Sequence, residues 1–548
     1  MCGFVGISDS HKYTEEEIKN AISLIRYRGP DGTRIKTYPE KNFTLSFCRL
    51  AIQDISESAM QPFHSEKKNI IVFNGEIYNF KYLREELIRE NYNIITKSDT
   101  EVLLAGYEKW GLKKLLFKIR GMYAFAIYDQ KENKFIIARD HFGIKPFYYS
   151  LTSNFIFASE IKSIISLMND NDWDSEGATL SLFTGRSQRG KTPYKDICEL
   201  KPGHYGTYDM NKKSLNIEKF FDAKSLVNES DYNYINRLNA NEITNYFNEI
   251  LNKSVNSHMV SDVPVGSCFS AGLDSSLISA IASKANNKNK INLFCYIVEK
   301  DKSIMEKCSE EFIKEFGNNI FYDSENSNSN SVEDLVKNLY YSEFPGKIEA
   351  TALSSICNLA FKNKHKVLLA GDAADEIFGG YHFHLNFLTR SLFSSGKINF
   401  FLKLCNSLLP YNFYETSYVN PENTDYFYQP SHLELFEMPI NFLLNRDNRL
   451  KEWEENKRAY DFIENKNHRN TQAFLLDGLN HKLSKYLHRS DSYGMRNSVE
   501  IRVPFLDEDF VKASLNLSLE KKMEVSFLKR KVETKKILKL LAKINKVP

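Results

Sequence analysis

The chain has 548 residues, 42% hydrophobic and 26% charged, with a formal net charge of +3; that length implies two or three folded domains, and so small a charge gives no general argument for a nucleic-acid partner. Its eight cysteines form no CxxC pair, so neither a zinc site nor a disulfide scaffold is signalled. With no signal-peptide pattern and no apolar run near the ~20 residues of a membrane helix, the expectation is a cytoplasmic protein with reduced thiols and no membrane partner.

The chain opens "MCGFVGI". Cysteine is small enough for Met1 to be removed, which would leave Cys2 with both a thiol and a free α-amine. The amine titrates at roughly 7.7–8.0 in model compounds and could serve as base for its own thiol, as an activated nucleophile requires. A buried strand that begins with cysteine accounts for the same seven residues. The runs "IIVFNGE", "YAFAIYD", "KFIIARD" and "NFIFASE" then predict short strands bounded by Asn, Gly or Asp. "NFKYLREELIREN" predicts a helix, with Tyr82, Leu83, Leu87 and Ile88 on its apolar side. Residues 1–205 thus read as an antiparallel α+β domain, and the Asn-, Lys- and Ser-rich residues 206–245 as a linker.

From 246 the pattern changes. "ITNYFNEILNKSVNSHMV" predicts an amphipathic helix; "VPVGSCF", "INLFCYIV" and "KVLLA" predict apolar strands with helices between. Alternating strands and helices predict an α/β doubly wound parallel sheet, where ligands bind beyond the carboxyl ends of strands. Two loops fall there. After Phe269, Ser270–Ser275 is a run of small residues leading into a helix near Ser276, a ready anion cradle without the GK[ST] ending of a Walker A loop. Asp274 beside such a nest calls for a divalent cation, and magnesium favours one or two carboxylates plus phosphate oxygens; an ordinary turn capped by Asp274 or Ser275 is the alternative. The second loop, "GDAADEIFGGY", crowds Asp372, Asp375 and Glu376, which repel unless a cation offsets them; solvated capping acids are the alternative. Together they predict a shared magnesium-nucleotide site. Residues 521–548 carry ten Lys/Arg against two acids and read as an amphipathic helix with Val532, Ile537, Leu540, Leu541 and Ile544 inward.

"SAGLDSS" resembles the SGGxDS pyrophosphate loop of ATP pyrophosphatases, and "LAGDAADEIFGGY" and "SVEIRVPFLD" resemble segments of asparagine synthetases. "MCGFVGI", "RYRGPDG", "RLAIQD", "FNGEIYN", "SDTEV", "GMYAFAIYD", "ARDHFGIKPFYY" and "ASEIKS" resemble, in order, the class II glutamine amidotransferase domain of those enzymes. The resemblance implies an N-terminal nucleophile hydrolase domain (an αββα sandwich) over 1–205 and an asparagine-synthetase-like ATP-binding domain over 246–548. It implies that Cys2, with its own α-amine as base, attacks the glutamine amide, giving a thioester and ammonia. Asn74 and the Gly75 N–H match the oxyanion hole, Arg49 the group that holds the glutamine carboxylate, and Glu76 and Asp99 those that hold its ammonium.

In the second domain the resemblance implies that a carboxylate attacks the α-phosphate of ATP, with pyrophosphate leaving into the loop of Ser270, Gly272, Asp274 and Ser275. Asp274 and Asp375 match magnesium-binding acids, Asp372 an acid of the adenylation step, and Lys535 in "KKILK" a lysine that meets the polyphosphate. Phe269, Ile297, Ala370 and Gly371 align with adenosine-site positions. Ammonia, carried through an internal tunnel, then displaces AMP. The implied cofactors are ATP and Mg2+; the implied partners are glutamine, ATP and a carboxylic acid acceptor, aspartate first, with a homodimer among the assemblies allowed. The chain departs from the family pattern at Ala271, Ala370, Ala373, Ala374, Phe47, Ser492 and Gly494, and "EFPGKIEATALSSICNLA" matches the acceptor segment only loosely. These departures leave the nucleophile and the magnesium acids in place and bear on the acceptor. The readings are therefore a glutamine-dependent asparagine synthetase; a related amidotransferase acting on another carboxylate, in secondary-metabolite or surface-polysaccharide biosynthesis; and a non-catalytic binding protein with the same fold.

Overall fold

The structure, a computed structural model, describes residues 2–168, 172–187, 190–285, 290–298, 302–324, 332–344, 351–381, 384, 446–526 and 531–548. Part of the expected acceptor segment, 345–350, lies outside the described residues.

The N-terminal part holds two six-stranded antiparallel sheets. One is ordered β10-β8-β9-β1-β3-β2, from β1 (Gly3–Ser8), β2 (Gly32–Tyr38), β3 (Phe43–Arg49), β8 (Tyr148–Ser150), β9 (Ile156–Ala158) and β10 (Ile197–Glu199). The other is ordered β12-β11-β7-β6-β5-β4, from β4 (Phe63–His64), β5 (Ile70–Ile77), β6 (Gly121–Asp129), β7 (Lys134–Arg139), β11 (His204–Asp209) and β12 (Ser214–Lys219). Side chains alternate across each strand, so each sheet has two faces to cover. Phe4, Phe43, Leu45 and Phe47 of the first sheet meet Val72, Ala124, Ala126, Phe135 and Ile137 of the second. The outer face of the first sheet, through Val5 and Ile7, takes Ile18, Ala21 and Ile22 of the helix Glu15–Ser23 and Ile161 and Ile164 of Ile161–Ile165. The outer face of the second takes Leu83 and Leu87 of Phe80–Arg89 and Leu103 and Leu104 of Asp99–Trp110. Helices cover both outer faces, which is the expected αββα sandwich. It also explains why strands such as "GFVGIS" are buried throughout rather than at every second residue.

Two expectations need correction here. The helix Phe80–Arg89 buries Phe80, Leu83 and Leu87 and leaves Tyr82 and Ile88 exposed, because 80, 83 and 87 share the stripe that meets the sheet. Residues 206–245 are not an irregular linker. β11 and β12 pair with each other and, through Tyr205↔Ala138, with β7; the helices Glu229–Arg237 and Ala240–His258 follow. The segment is polar because β12 is an edge strand whose side chains mostly face solvent.

The C-terminal part is a five-stranded parallel sheet, ordered β15-β14-β13-β16-β17, from β13 (Val265–Cys268), β14 (Asn292–Ile297), β15 (Asn319–Ser324), β16 (Val367–Leu369) and β17 (Glu500–Arg502). The helix Ala240–His258 starts with a capping box, Asn239 with Glu242, and buries Ile243, Phe247, Leu251 and Val255; each such side chain contributes roughly 1.5–3 kcal/mol. Leu50, Ile52, Tyr78, Met122 and Ile144 of the N-terminal part belong to the same apolar cluster as this sheet. The basic end also differs from expectation. Val532 lies in a short strand, Lys531–Glu533, paired with Glu524–Ser526. The final helix, Lys536–Ile544, buries Ile537, Leu538, Leu541 and Ala542 while Leu540 and Ile544 stay exposed.

Candidate active site

Strand register gathers the first set of residues. Gly3 faces Cys48 across β1 and β3, so Cys2 lies beside Arg49, the next residue of the ladder. Cys2 shares the inward face with Phe4, and Arg49 shares it with Phe43, Leu45 and Phe47. Asn74 continues the inward register of Ile70 and Val72 on β5 and meets Cys2, accepting a hydrogen bond at Oδ1 from the Cys2 N–H (3.1 Å). The Cys2 thiol faces the Leu50 carbonyl at 3.9 Å. Asn74 is fully buried, and its Nδ2 donor has no hydrogen-bond partner among the described residues. A buried donor without a partner is costly, and this one belongs to the side chain that touches the thiol-bearing residue. At Gly75 a Cβ would lie 2.1 Å from the Met122 carbonyl, so β6 leaves room only for glycine.

Arg49 turns its guanidinium onto the carbonyls of Ser56 (2.7 Å) and Asp54. Asp99 opens the helix Asp99–Trp110 and accepts from the Ile77 N–H at 3.0 Å; burial pushes its carboxyl up to about 7 against these backbone donors. Glu76 accepts from Gln53 and lies 3.5 Å from Arg502 Nη2; burial, then the charge of Glu500, pushes its carboxyl well up. Burial likewise raises the Cys2 thiol, while the positive charge of the chain's amino terminus, and then a backbone hydrogen bond at Leu50, pull it down.

The second set stands at the carboxyl ends of β13 and β16, which are neighbours. The helix after β13 begins at Leu273, earlier than expected, so Asp274 and Ser275 lie in its first turn. Ser275 Oγ binds the Ser270 N–H (3.1 Å), the Ser270 hydroxyl (2.9 Å) and the Gly272 carbonyl (3.2 Å), which closes the loop on itself. Ala271 has φ +53°, a left-handed conformation that costs a non-glycine residue roughly 1–2 kcal/mol. A Cβ on Gly371 would stand 3.0 Å from both Asp274 Cβ and the Ser275 nitrogen, so the two loops touch. Phe269 packs its ring on Phe312 at 5.0 Å and Ile297 lies among Cys295 and Met305; both side chains are buried. Ala370 is held by its N–H to the Arg502 carbonyl (2.8 Å).

Lys535, at the start of the last helix, joins the acids. Its Nζ is 2.5 Å from Asp274 Oδ2 and 2.6 Å from Asp375 Oδ1. Burial pushes the Asp274 carboxyl up to about 6 against the pull of Lys535, and Asp274 Oδ1 is buried with no hydrogen-bond partner among the described residues. Asp372 accepts from Ser490 Oγ at 2.8 Å; burial raises it, opposed by Ser490 and the Arg489 charge. Glu376 accepts from Tyr381 (2.8 Å) and is pushed up to about 7 by burial. Among the described residues no three His, Cys, Asp or Glu side chains converge on a metal position. The pair Asp274 and Asp375 fits magnesium, which takes one or two carboxylates and completes its shell with phosphate and water oxygens.

Sequence reasoning missed Ser490, Arg489 and the buried ion cluster around Arg28, all brought in by the helix Leu483–Arg496. "RYRGPDG" and "HRSDSYGMRNS" flagged both segments, but only packing shows that they meet.

The asparagine synthase family model matches residues 246–543, and that of the glutamine amidotransferase domain matches residues 1–221. Asparagine synthetase (glutamine-hydrolyzing) 1 of Bacillus subtilis is 29% identical over 526 residues, covering 93% of this chain and 80% of that protein. Asparagine synthetase (glutamine-hydrolyzing) 3 of the same organism is 29% identical over 547 residues, covering 95% and 82%. Amidase chry2 of Gibberella zeae is 28% identical over 398 residues, covering 68% and 56%.

Proposed function

Because the chain belongs to the asparagine synthase family of glutamine-hydrolysing, ATP-dependent amidotransferases, we propose that it converts aspartate, ATP and glutamine to asparagine, AMP, pyrophosphate and glutamate. The observation that carries the glutamine half is the buried Asn74 Nδ2, without a partner among the described residues, on the side chain that touches Cys2. With Met1 removed, the α-amine takes the thiol proton and Sγ bonds to the glutamine amide carbon. The carbonyl oxygen gains charge and is received by Asn74 Nδ2 and the Gly75 N–H. The C–N bond breaks, ammonia leaves with the proton, and water hydrolyses the thioester to glutamate. Arg49 holds the glutamine carboxylate, and Glu76 and Asp99 hold its ammonium.

At the second site the acceptor carboxylate attacks the α-phosphorus of ATP and pyrophosphate leaves toward the Ser270–Ser275 loop, with Lys535 countering its charge. Asp274 and Asp375 would hold Mg2+, which when bound supplies charge to the polyphosphate. Ammonia then bonds to the acyl carbon and AMP leaves. The Asp372 carboxylate, fixed by Ser490, lies beside this centre. The names of the relatives aligned across both halves support aspartate as acceptor. The seven described cysteines are all unpaired, which supports a setting that keeps thiols reduced, such as the cytoplasm; no helix among the described residues is long and apolar enough to cross a membrane.

The second reading, another carboxylate as acceptor, is favoured by Ser492 and Gly494 on the helix that carries Ser490. ATP–pyrophosphate exchange across a panel of carboxylic acids tests both. Exchange dependent on aspartate is expected; exchange with a different acid and none with aspartate would transfer the assignment to that acid.

A further inference from the structure

We propose that Asp491, in the ATP-binding half, is a positioning residue for Cys2 in the glutamine-hydrolysing half. The link between them is Arg28. Its Nε donates to the Cys2 carbonyl at 3.1 Å. Its Nη1 and Nη2 donate to the two oxygens of Asp491 at 2.9 and 3.3 Å, and Nη1 also donates to Glu160 at 2.7 Å. Arg28 and Asp491 are 1% and 4% exposed, so water is not a ready substitute for either partner.

The geometry divides the work between the two acids. A guanidinium is a rigid planar fork. Glu160 grips one nitrogen and leaves the plane free to rotate, whereas Asp491 grips two and fixes it. Only with the plane fixed does Nε stay on the Cys2 carbonyl. Cys2 precedes the first strand, so its main chain is held by that contact on the carbonyl and by Asn74 on the nitrogen. Those two bonds set the direction of the Cα–Cβ bond, and hence where Sγ stands relative to Asn74 Nδ2.

The loop that carries Arg28 is itself clamped by the other half. Ser498 Oγ donates to the Tyr27 carbonyl (2.6 Å), the Tyr341 ring meets that of Tyr27 at 4.9 Å, and Lys366 pairs with Asp31 at 2.8 Å. Lys145 stands 3.8 Å from Asp491 Oδ1. One residue before Asp491, Ser490 holds Asp372. A single helical turn thus touches the acidic loop of one site and, through Arg28, the nucleophile of the other.

The inference rests on Cys2 being the nucleophile. It is tested in the full-length protein by the kcat and KM of glutamine hydrolysis for Asp491→Asn and Asp491→Glu, with Cys2→Ala alongside. Misplacing a reacting group by about 1 Å costs up to about 100-fold. Asp491→Asn should therefore lower kcat by about tenfold or more with KM for glutamine within about twofold, and slow the alkylation of Cys2 by iodoacetamide in step with kcat. Asp491→Glu should fall between Asp491→Asn and wild type. Wild-type kcat in Asp491→Asn overturns the inference, as does an Asp491→Glu variant no better than Asp491→Asn. If Asp491→Asn does not fold, Asp491→Glu decides alone: lowered kcat at unchanged KM supports the role, and wild-type kcat rejects it. Hydrolysis that survives in Cys2→Ala would instead remove the nucleophile assignment itself.

Discussion

Lys535 Nζ lies 2.5 Å from Asp274 Oδ2, joining the last helix of the chain to the first turn of the helix after β13. It reaches Asp375 on the second acidic loop as well, and these two carboxylates hold its ammonium up against burial. Lys535→Met leaves the two acids repelling each other and removes a cation from the path of the pyrophosphate. ATP-dependent amide formation should fall by about 100-fold or more, while glutamine hydrolysis by the intact Cys2 site persists. Parallel assays of glutamate and amide product check this; a Lys535→Met enzyme with wild-type synthesis would return Lys535 to an ordinary structural ion pair.

Cys2→Ala should abolish glutamine hydrolysis and leave synthesis driven by ammonium salts, because the thiol belongs to one half and the adenylation machinery to the other. Mass spectrometry of the purified protein supplies a companion result, a mass lacking Met1, without which no α-amine is available at Cys2.

Ala271 sits at φ +53°, where alanine is disfavoured by roughly 1–2 kcal/mol and glycine is not. Ala271→Gly should raise the melting temperature and bind ATP at least as tightly as the parent. Calorimetry and the ATP dissociation constant decide the matter. Much weaker binding would mean that the methyl contacts the nucleotide rather than straining its loop.

Asp99 has its carboxyl pushed up to about 7 by burial. Its ionised form is the one that would attract a glutamine ammonium, so the KM for glutamine should fall as pH rises through about 7. Asp99→Asn should raise KM and flatten that limb of the profile. A pH-independent KM in the wild-type protein would remove Asp99 from ammonium binding.

Lys522 is fully buried and donates to Gln472 Oε1 at 2.8 Å; burial pushes its ammonium down to about 7. An unfolded lysine titrates near 10.4, so the folded state binds fewer protons between these values. Its contribution to stability is complete above the unfolded value and is lost progressively as pH falls from about 10 toward about 7. Lys522→Met should therefore gain stability relative to the wild type across that fall. Denaturant titrations at several pH values measure it, and a difference between the two proteins that does not change with pH would contradict it.

Much of the candidate site was legible because its residues lie in short local motifs. Cys2, the Asn74–Gly75 pair and the Ser270–Ser275 loop each lie in a short contiguous stretch, which is what a resemblance of motifs can pick out, and strand register brings the first two together. The polar stretch 206–245 misled because an edge strand and a linker share the same hydrophilic composition; only pairing with β7 distinguishes them. Ser490 and Asp491 were hidden for a different reason. Their partners, Asp372 and Arg28, are 118 and 463 residues away, and no periodicity within a helix reports contacts at that range. The start of the helix at Leu273 rather than near Ser276 is a boundary shift of the kind that small residues at a helix N-terminus conceal.

The apolar cluster of the parallel sheet takes in Leu50, Ile52, Tyr78, Met122 and Ile144 from the sandwich. The two catalytic halves therefore do not meet as finished solids with wet, exchangeable faces. Cutting the chain between them would expose a hydrophobic face on each fragment, inviting aggregation. A graft of either half onto a relative would need the opposing face rebuilt with it, so the pair is inherited as a single packed object even where its chemistries could operate apart.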